Sequence, residues 1–348
     1  MDKRFSLMVW CLLLGSGLLA LLLSFSGFSQ TGPDSVLADG QPESQLQDAP
    51  VASPSESPAP AEDSLLSYLE PRKLSLRSQA ALVVDDREGQ VLYGRNMHVQ
   101  RPIASLTKLM TAMVVLDAGL PEDEVITITR ADRDRLRGSS SKLSFGTKLT
   151  RRDLIKIALA GSENRAASAL ARTYPGGTAH FVTTMNDKAR RLGLTETSFR
   201  DPAGLHRDNM STAADLVELV KAASRYALIR EFTTVGTSSV TDRRTGWKVR
   251  FVNTNRLVRN RQWDIELSKT GYIADAGHCL LMRAEIAERP VTLVLLNSWG
   301  ELTKYGDANR IRKWIDRADQ KARNAAARDL EASAAPVAAT ASRPSRQS

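Results

Sequence analysis

Strand-like segments stand at both ends of the central part of this chain, and helix-like segments fill the stretch between them. Residues 80–84 (Ala-Ala-Leu-Val-Val) and 90–93 flank a polar run that ends in Gly89, the pattern of a β-hairpin. Apolar residues at Leu106, Leu109, Met110, Met113, Val114 and Leu116 recur at helical spacing and predict a buried helix over 105–118, closed by Gly119 and Pro121. After a short strand at 125–129, helices are predicted over 152–160, 164–174, 178–192 and 213–226. Strands return at 237–241, 247–253, 265–268, 279–286 and 291–297, and a closing helix starts near 309. Distant strands with a helical insert between them imply one antiparallel sheet built from both ends, covered by helices.

The termini have a different character. After the basic start Asp2-Lys3-Arg4, residues 5–23 are almost wholly apolar, and small residues follow at Ser24, Ser26, Gly27 and Ser29. Segment 1–29 therefore reads as a secretory signal peptide or, if uncleaved, as a membrane anchor. Segment 30–73 is dominated by Pro, Ser, Ala, Glu and Asp and reads as a disordered linker. Segment 318–348 is an Ala/Arg-rich and then Pro/Ser-rich low-complexity tail, expected to begin as a frayed helix and end disordered, leaving 74–317 as one folded domain. Of the two cysteines, Cys11 lies in the leader, so the exported chain keeps Cys279 alone and must rest on its core. The net charge of +9 raises nucleic-acid binding, but basic and acidic residues interleave and no nucleic-acid motif is found. The same charge suits a polyanionic partner outside the membrane.

Three motifs carry chemistry, in the order Ser105-Leu106-Thr107-Lys108, Ser162-Glu163-Asn164, Lys269-Thr270-Gly271. On a helix, residues three apart share a face, so the Ser105 hydroxyl and the Lys108 amine come together. Pro102 keeps the approach extended and places Ser105 near the first turn, where free N–H groups favour a developing oxyanion. A serine is a weak nucleophile unless a neighbour takes its proton, and an amine does so only when neutral. Burial and a second cation both favour that form. Ser162 can relay a proton, and the Asn164 amide can bond a peptide carbonyl or the lysine. Lys269, at the end of a predicted strand, is the second cation and a partner for a substrate carboxylate, which Thr270 can also bind. Gly271 leaves room for a substrate backbone along the strand edge, and Tyr272 can supply a second oxyanion N–H.

Rival constellations are missing. There is no Gly-x-Ser-x-Gly elbow and no His-Glu-x-x-His, and the four histidines lie singly, so neither a metal nor a cofactor is expected.

The motif set resembles that of β-lactamases and penicillin-binding proteins. The segment Arg101-Pro102-Ile103-Ala104-Ser105-Leu106-Thr107-Lys108-Leu109-Met110-Thr111-Ala112 resembles the nucleophile segment of the low-molecular-mass penicillin-binding proteins, serine D,D-peptidases acting on peptidoglycan. Residues 197–205, which include Asp201-Pro202-Ala203-Gly204-Leu205, are similar to a second stretch of that family. The resemblance covers roughly 80–297 and implies a β-lactamase/transpeptidase-like α/β fold with a helical subdomain. It implies Ser105 as the acylated nucleophile, Lys108 as its base, and Ser162 and Asn164 in proton transfer and substrate alignment. Lys269 and Thr270 would face the substrate carboxylate, with the N–H groups of Ser105 and Tyr272 as oxyanion hole. Implied partners are peptidoglycan stem peptides and, as covalent inhibitors, β-lactams.

Within that family the sequence around Lys269-Thr270-Gly271-Tyr272-Ile273 and Val114-Val115-Leu116-Asp117 looks most like the D-alanyl-D-alanine endopeptidase branch. From the length that follows Lys269, the extra β-rich domain and terminal anchor of the main carboxypeptidases are not expected. The expected function is hydrolysis of D-alanyl cross-links in an extracytoplasmic space. Carboxypeptidase, β-lactamase and a non-catalytic wall-binding protein are the alternatives. A β-lactamase would need a dedicated deacylating base, and Glu196 lacks the Glu-x-x-Leu-Asn setting of class A enzymes.

Overall fold

The structure, a computed structural model, describes residues 65–334. In chain order it contains α1 (Leu65–Tyr68), β1 (Ser78–Asp85), β2 (Gln90–Arg95), β3 (Arg101–Pro102), α2 (Lys108–Asp117), β4 (Val125–Thr127) and β5 (Lys148–Thr150). Next come α3 (Arg151–Ala160), α4 (Asn164–Arg172), α5 (Gly177–Arg191), β6 (Met210–Ser211), α6 (Ala213–Ala223) and α7 (Ala227–Thr234). The chain then returns to β structure with β7 (Thr237–Thr241), β8 (Lys248–Val252), β9 (Asp264–Ile273), β10 (Gly277–Ile286) and β11 (Arg289–Ser298), and closes on α8 (Thr303–Ala334).

The main sheet has the order β2-β1-β11-β10-β9, with every pairing antiparallel. It is formed from both ends of the described chain, as the element pattern predicts. Period-two side-chain alternation sends each strand's residues to two cores. Leu82, Val84, Leu281, Val294 and Leu296 meet the inserted helices on one face. Val83, Leu280, Met282, Leu293 and Leu295 meet Ile311, Trp314 and Ile315 of α8 on the other. The result is an α/β/α sandwich.

Several boundaries differ from the sequence expectations. Packing reaches back before 74, to Leu65 among the described residues, because Leu65, Leu69, Leu74 and Leu76 are all buried in the core under α8. That helix continues past 317 into the segment expected to begin as a frayed helix. It runs to Ala334, since the Ala-rich segment that reads as low complexity is also strong helix-forming sequence. α7 was not anticipated. β9 extends through Lys269-Thr270-Gly271-Tyr272, so the third motif lies inside a strand rather than at its end: Lys269 pairs with Leu281 and Gly271 with Cys279. Cys279 is a free, fully buried thiol, and burial pushes it up to about 11. Segments 1–64 and 335–348 lie outside the described residues, and with them the leader, most of the linker and the last part of the tail.

Candidate active site

The nucleophile segment is held by backbone on three sides. Arg101 pairs with Ser211, and the Ile103 N–H donates to the Asn209 carbonyl at 3.0 Å. Residues Ala104–Thr107 then form a 3₁₀ turn that leads into α2. In a 3₁₀ turn side chains at i and i+3 eclipse, which tightens the Ser105–Lys108 juxtaposition beyond what an α-turn gives. Ala104, immediately before the serine, is held at φ 47°. Two glycines clasp it. A Cβ on Gly204 would sit 1.9 Å from the Ala104 carbonyl oxygen, and one on Gly271 would sit 2.9 Å from the Ile103 oxygen and 3.1 Å from the Ala104 Cβ. Gly271 thus lets β9 approach the nucleophile turn, a closer and different need from the expected room for a substrate backbone.

Lys108 is fully buried at the start of α2. Its Nζ lies 2.9 Å from Ser105 Oγ, 2.7 Å from Asn164 Oδ1 and 2.6 Å from the Ala203 carbonyl oxygen. Burial lowers its pKa to about 8, while the carboxylates of Asp201, Glu163 and Asp134 act in the opposite sense. The Asn164 amide nitrogen donates to Ser139 Oγ at 2.8 Å, which fixes the amide's orientation toward the lysine. So the first motif and the asparagine of the second converge on one nitrogen.

The serine of the second motif has another partner. Ser162, at φ 56° between α3 and α4, accepts from Lys269 Nζ at 2.9 Å, and Lys269 also donates to the Thr270 carbonyl at 3.0 Å. The pKa of Lys269 is lowered well below its usual value, first by burial and then by the charge of Lys108. Burial leads for both lysines, and the effect of a second cation falls on Lys269, where the charge of Lys108 adds to burial.

Thr270 Oγ1 lies 2.7 Å from Thr254 Oγ1. The Tyr272 side chain is exposed and stacks on His278 with ring centroids 4.3 Å apart. These groups line a cleft of about 730 Å³ together with Ser105, Ser162, Asn164, Gly271, Glu301, Lys304 and Tyr305. Lys108 and Lys269 are buried against it. All eight residues singled out from the sequence therefore gather in one place.

The sequence reading missed the supports. The Asp201 carboxylate accepts from the N–H groups of Ala203, Gly204, Leu205 and His206 and so shapes the turn that presents the Ala203 carbonyl to Lys108. Asn209, fully buried, ties Arg200 and Asp201 to Thr107 Oγ1. Lys304 and Tyr305, from the first turn of α8, form part of the cleft wall; burial lowers the Lys304 ammonium, and Tyr305 donates to the Thr254 carbonyl at 2.9 Å. Asp201 lies in a stretch that the family resemblance singled out, but nothing in its spacing foretells four backbone bonds.

A serine hydrolase on an α/β/α sandwich, with a buried lysine beside the serine, is the class that this fold and site define. Residues 68–300 match the D-alanyl-D-alanine carboxypeptidase family of peptidases, and the chain belongs to that family. It is 45% identical over 258 residues to a D-alanyl-D-alanine endopeptidase of Pseudomonas aeruginosa, spanning 74% of this chain and 83% of the relative. A Streptomyces DD-transpeptidase superimposes with a TM-score of 0.64 at 27% identity, over 69% of this chain and 97% of that one. Penicillin-binding protein D2 of Listeria monocytogenes, solved in its cefotaxime-bound form, superimposes with a TM-score of 0.61 at 30% identity, over 70% and 98%.

Proposed function

We propose that the chain is a serine D,D-peptidase that hydrolyses D-alanyl cross-links between peptidoglycan stem peptides through an acyl-enzyme. The observation that carries this reading is the 2.9 Å approach of Lys108 Nζ to Ser105 Oγ in a site that depresses the lysine to about 8. Neutral Lys108 has two N–H bonds and one lone pair. The N–H bonds go to Asn164 Oδ1 and the Ala203 carbonyl, which leaves the lone pair for the Ser105 hydroxyl. As Oγ attacks the D-alanyl carbonyl, its proton passes to Nζ, and the backbone N–H groups of Ser105 and Tyr272 hold the oxyanion. Collapse of the tetrahedral species breaks the peptide bond, and the leaving amine takes a proton from Lys108, relayed through Ser162. Water then cleaves the Ser105 ester with Lys108 again as base. Lys269 and Thr270 face the substrate carboxylate, and Asn164 aligns the peptide.

The identity to proteins named D-alanyl-D-alanine endopeptidase favours cross-link cleavage over removal of terminal D-alanine. A β-lactam presents a strained amide to the same serine and leaves a slowly released ester. Segment 1–29 exports the chain, or tethers it, so that it meets the wall outside the cytoplasmic membrane. Incubation of the purified protein with sacculi, followed by chromatography of the products, tests the reading. Loss of dimeric muropeptides supports it; loss of terminal D-alanine alone makes the protein a carboxypeptidase.

A further inference from the structure

On the side of the cleft formed by Asn164, the loop between β4 and β5 packs against the β7–β8 hairpin. Arg243 N–H donates to the Lys148 carbonyl at 2.8 Å, Lys148 N–H to Asp242 Oδ1 at 2.9 Å, and Lys142 Nζ to the Arg250 carbonyl at 3.0 Å. Four carboxylates belong to this region, and all four are buried and engaged. Asp132 accepts from Thr129 and Arg172, and Glu163 from the backbone of Arg165 and Lys142. Asp134 accepts from the N–H groups of Leu136, Arg137 and Ser139, and Asp242 from those of Lys148 and Arg244. The cations remain outside. Arg130, Arg133, Arg135, Arg243, Lys248 and Arg250 are exposed, and among the described residues none has an acidic partner. Trp247 is 79% exposed on the same hairpin.

This face is continuous with the catalytic cleft. A hollow of about 450 Å³ lined by Ser140, Lys142 and Phe251 shares Ser162 and Asn164 with the cleft, and Ser139 of the same loop accepts from Asn164. Residues that alternate in sign along the chain thus separate in space, with acid inside and base outside.

We propose that this face is the docking surface for the carboxylate-bearing strands of the polymeric wall substrate, which it holds while one cross-link occupies the cleft. The proposal rests on the peptidoglycan reading above and adds the surface that gathers the polymer. Clustered exposed cations raise the local concentration of an anionic polymer, and the effect weakens as salt screens it.

The test measures retention on sedimented sacculi with Ser105→Ala protein, so that nothing is digested. Its probes are native sacculi and sacculi whose carboxyl groups have been amidated with carbodiimide and ethanolamine. The face variant is Arg133→Ala/Arg135→Ala/Lys248→Ala. A control, Lys313→Ala/Arg317→Ala/Arg328→Ala, removes the same charge from α8. At a factor of about two or more for each lost surface contact, the face variant should bind native sacculi on the order of tenfold more weakly. The control should bind as the parent does, amidated sacculi should be held weakly by all, and added salt should release the parent but barely change the face variant. With Ser105 restored, the face variant should take up fluorescent penicillin at the parental rate. Equal losses in face and control variants, undiminished binding by the face variant, or equal retention on amidated sacculi would overturn the proposal. If fluorescent penicillin fails to label the parent, the catalytic reading falls, while the retention measurement still decides what the face binds.

Discussion

At Lys108, one nitrogen meets three oxygens, and only the neutral amine can accept a proton from the serine among them. Burial drives the lysine toward that form, so the proposed base is also a group that the fold disfavours in its charged state. The sign of the pH dependence follows. The neutral fraction grows as pH rises through the folded pKa, so the acylation rate by benzylpenicillin should climb from pH 6 to 10 with a midpoint near about 8. Lys108→Ala should lower that rate about a thousandfold, the usual loss for a positioned base. Asp201 foremost among three carboxylates favours the ammonium form, so Asp201→Asn should move the midpoint below that of the parent. Stopped-flow measurement of the change in intrinsic fluorescence on acylation by benzylpenicillin checks all three. A midpoint that stays in place or moves up in Asp201→Asn would contradict the electrostatic assignment.

Among the elements, the turn before α2 and strand β9 set the position of the nucleophile, and two glycines govern how closely they approach. Gly204→Ala adds a Cβ 1.9 Å from the Ala104 oxygen at a residue with φ +78°, so something must move. It should cost at least about 2 kcal/mol in urea denaturation and abolish penicillin labelling. Retained labelling at parental stability would show that the clasp is dispensable. The three motifs were legible in the sequence because their chemistry resides in side chains at fixed spacing. The clasp was not, because a glycine in a sequence does not reveal what backbone will approach it. Lys269-Thr270-Gly271 reads as a strand end because lysine and glycine have low strand propensity, yet pairing with β10 overrides that preference. The basic face was hidden for a third reason. Asp132, Asp134 and Asp242 alternate with arginines along the chain, and only burial separates the two signs.

For the whole molecule, α8 closes the sheet and also forms part of the cleft wall, so stability and site geometry are linked through its first half. Asp307, fully buried, accepts from the Arg77 and Ser78 N–H groups at 3.0 and 2.8 Å and bonds the Ser78 hydroxyl, fixing α8 to β1. Trp314 packs edge-on against Tyr93 and donates to the Glu70 carbonyl at 3.1 Å. From Asp319 to Glu331 the helix is largely exposed. Asp307→Ala should therefore lower stability by about 3 kcal/mol, since it leaves buried donors unpaired. Truncation after Asn324 should leave both the melting temperature and penicillin labelling unchanged, and calorimetry distinguishes the two effects. The central claim concerns Ser105 and the amine beside it. Intact-mass spectrometry after benzylpenicillin treatment, with peptide mapping, addresses it most directly. The account predicts one slowly released adduct on Ser105, formed faster as pH rises through about 8 and lost in Ser105→Ala. An unmodified parent, or a Ser105→Ala protein that still carries the adduct, would contradict it.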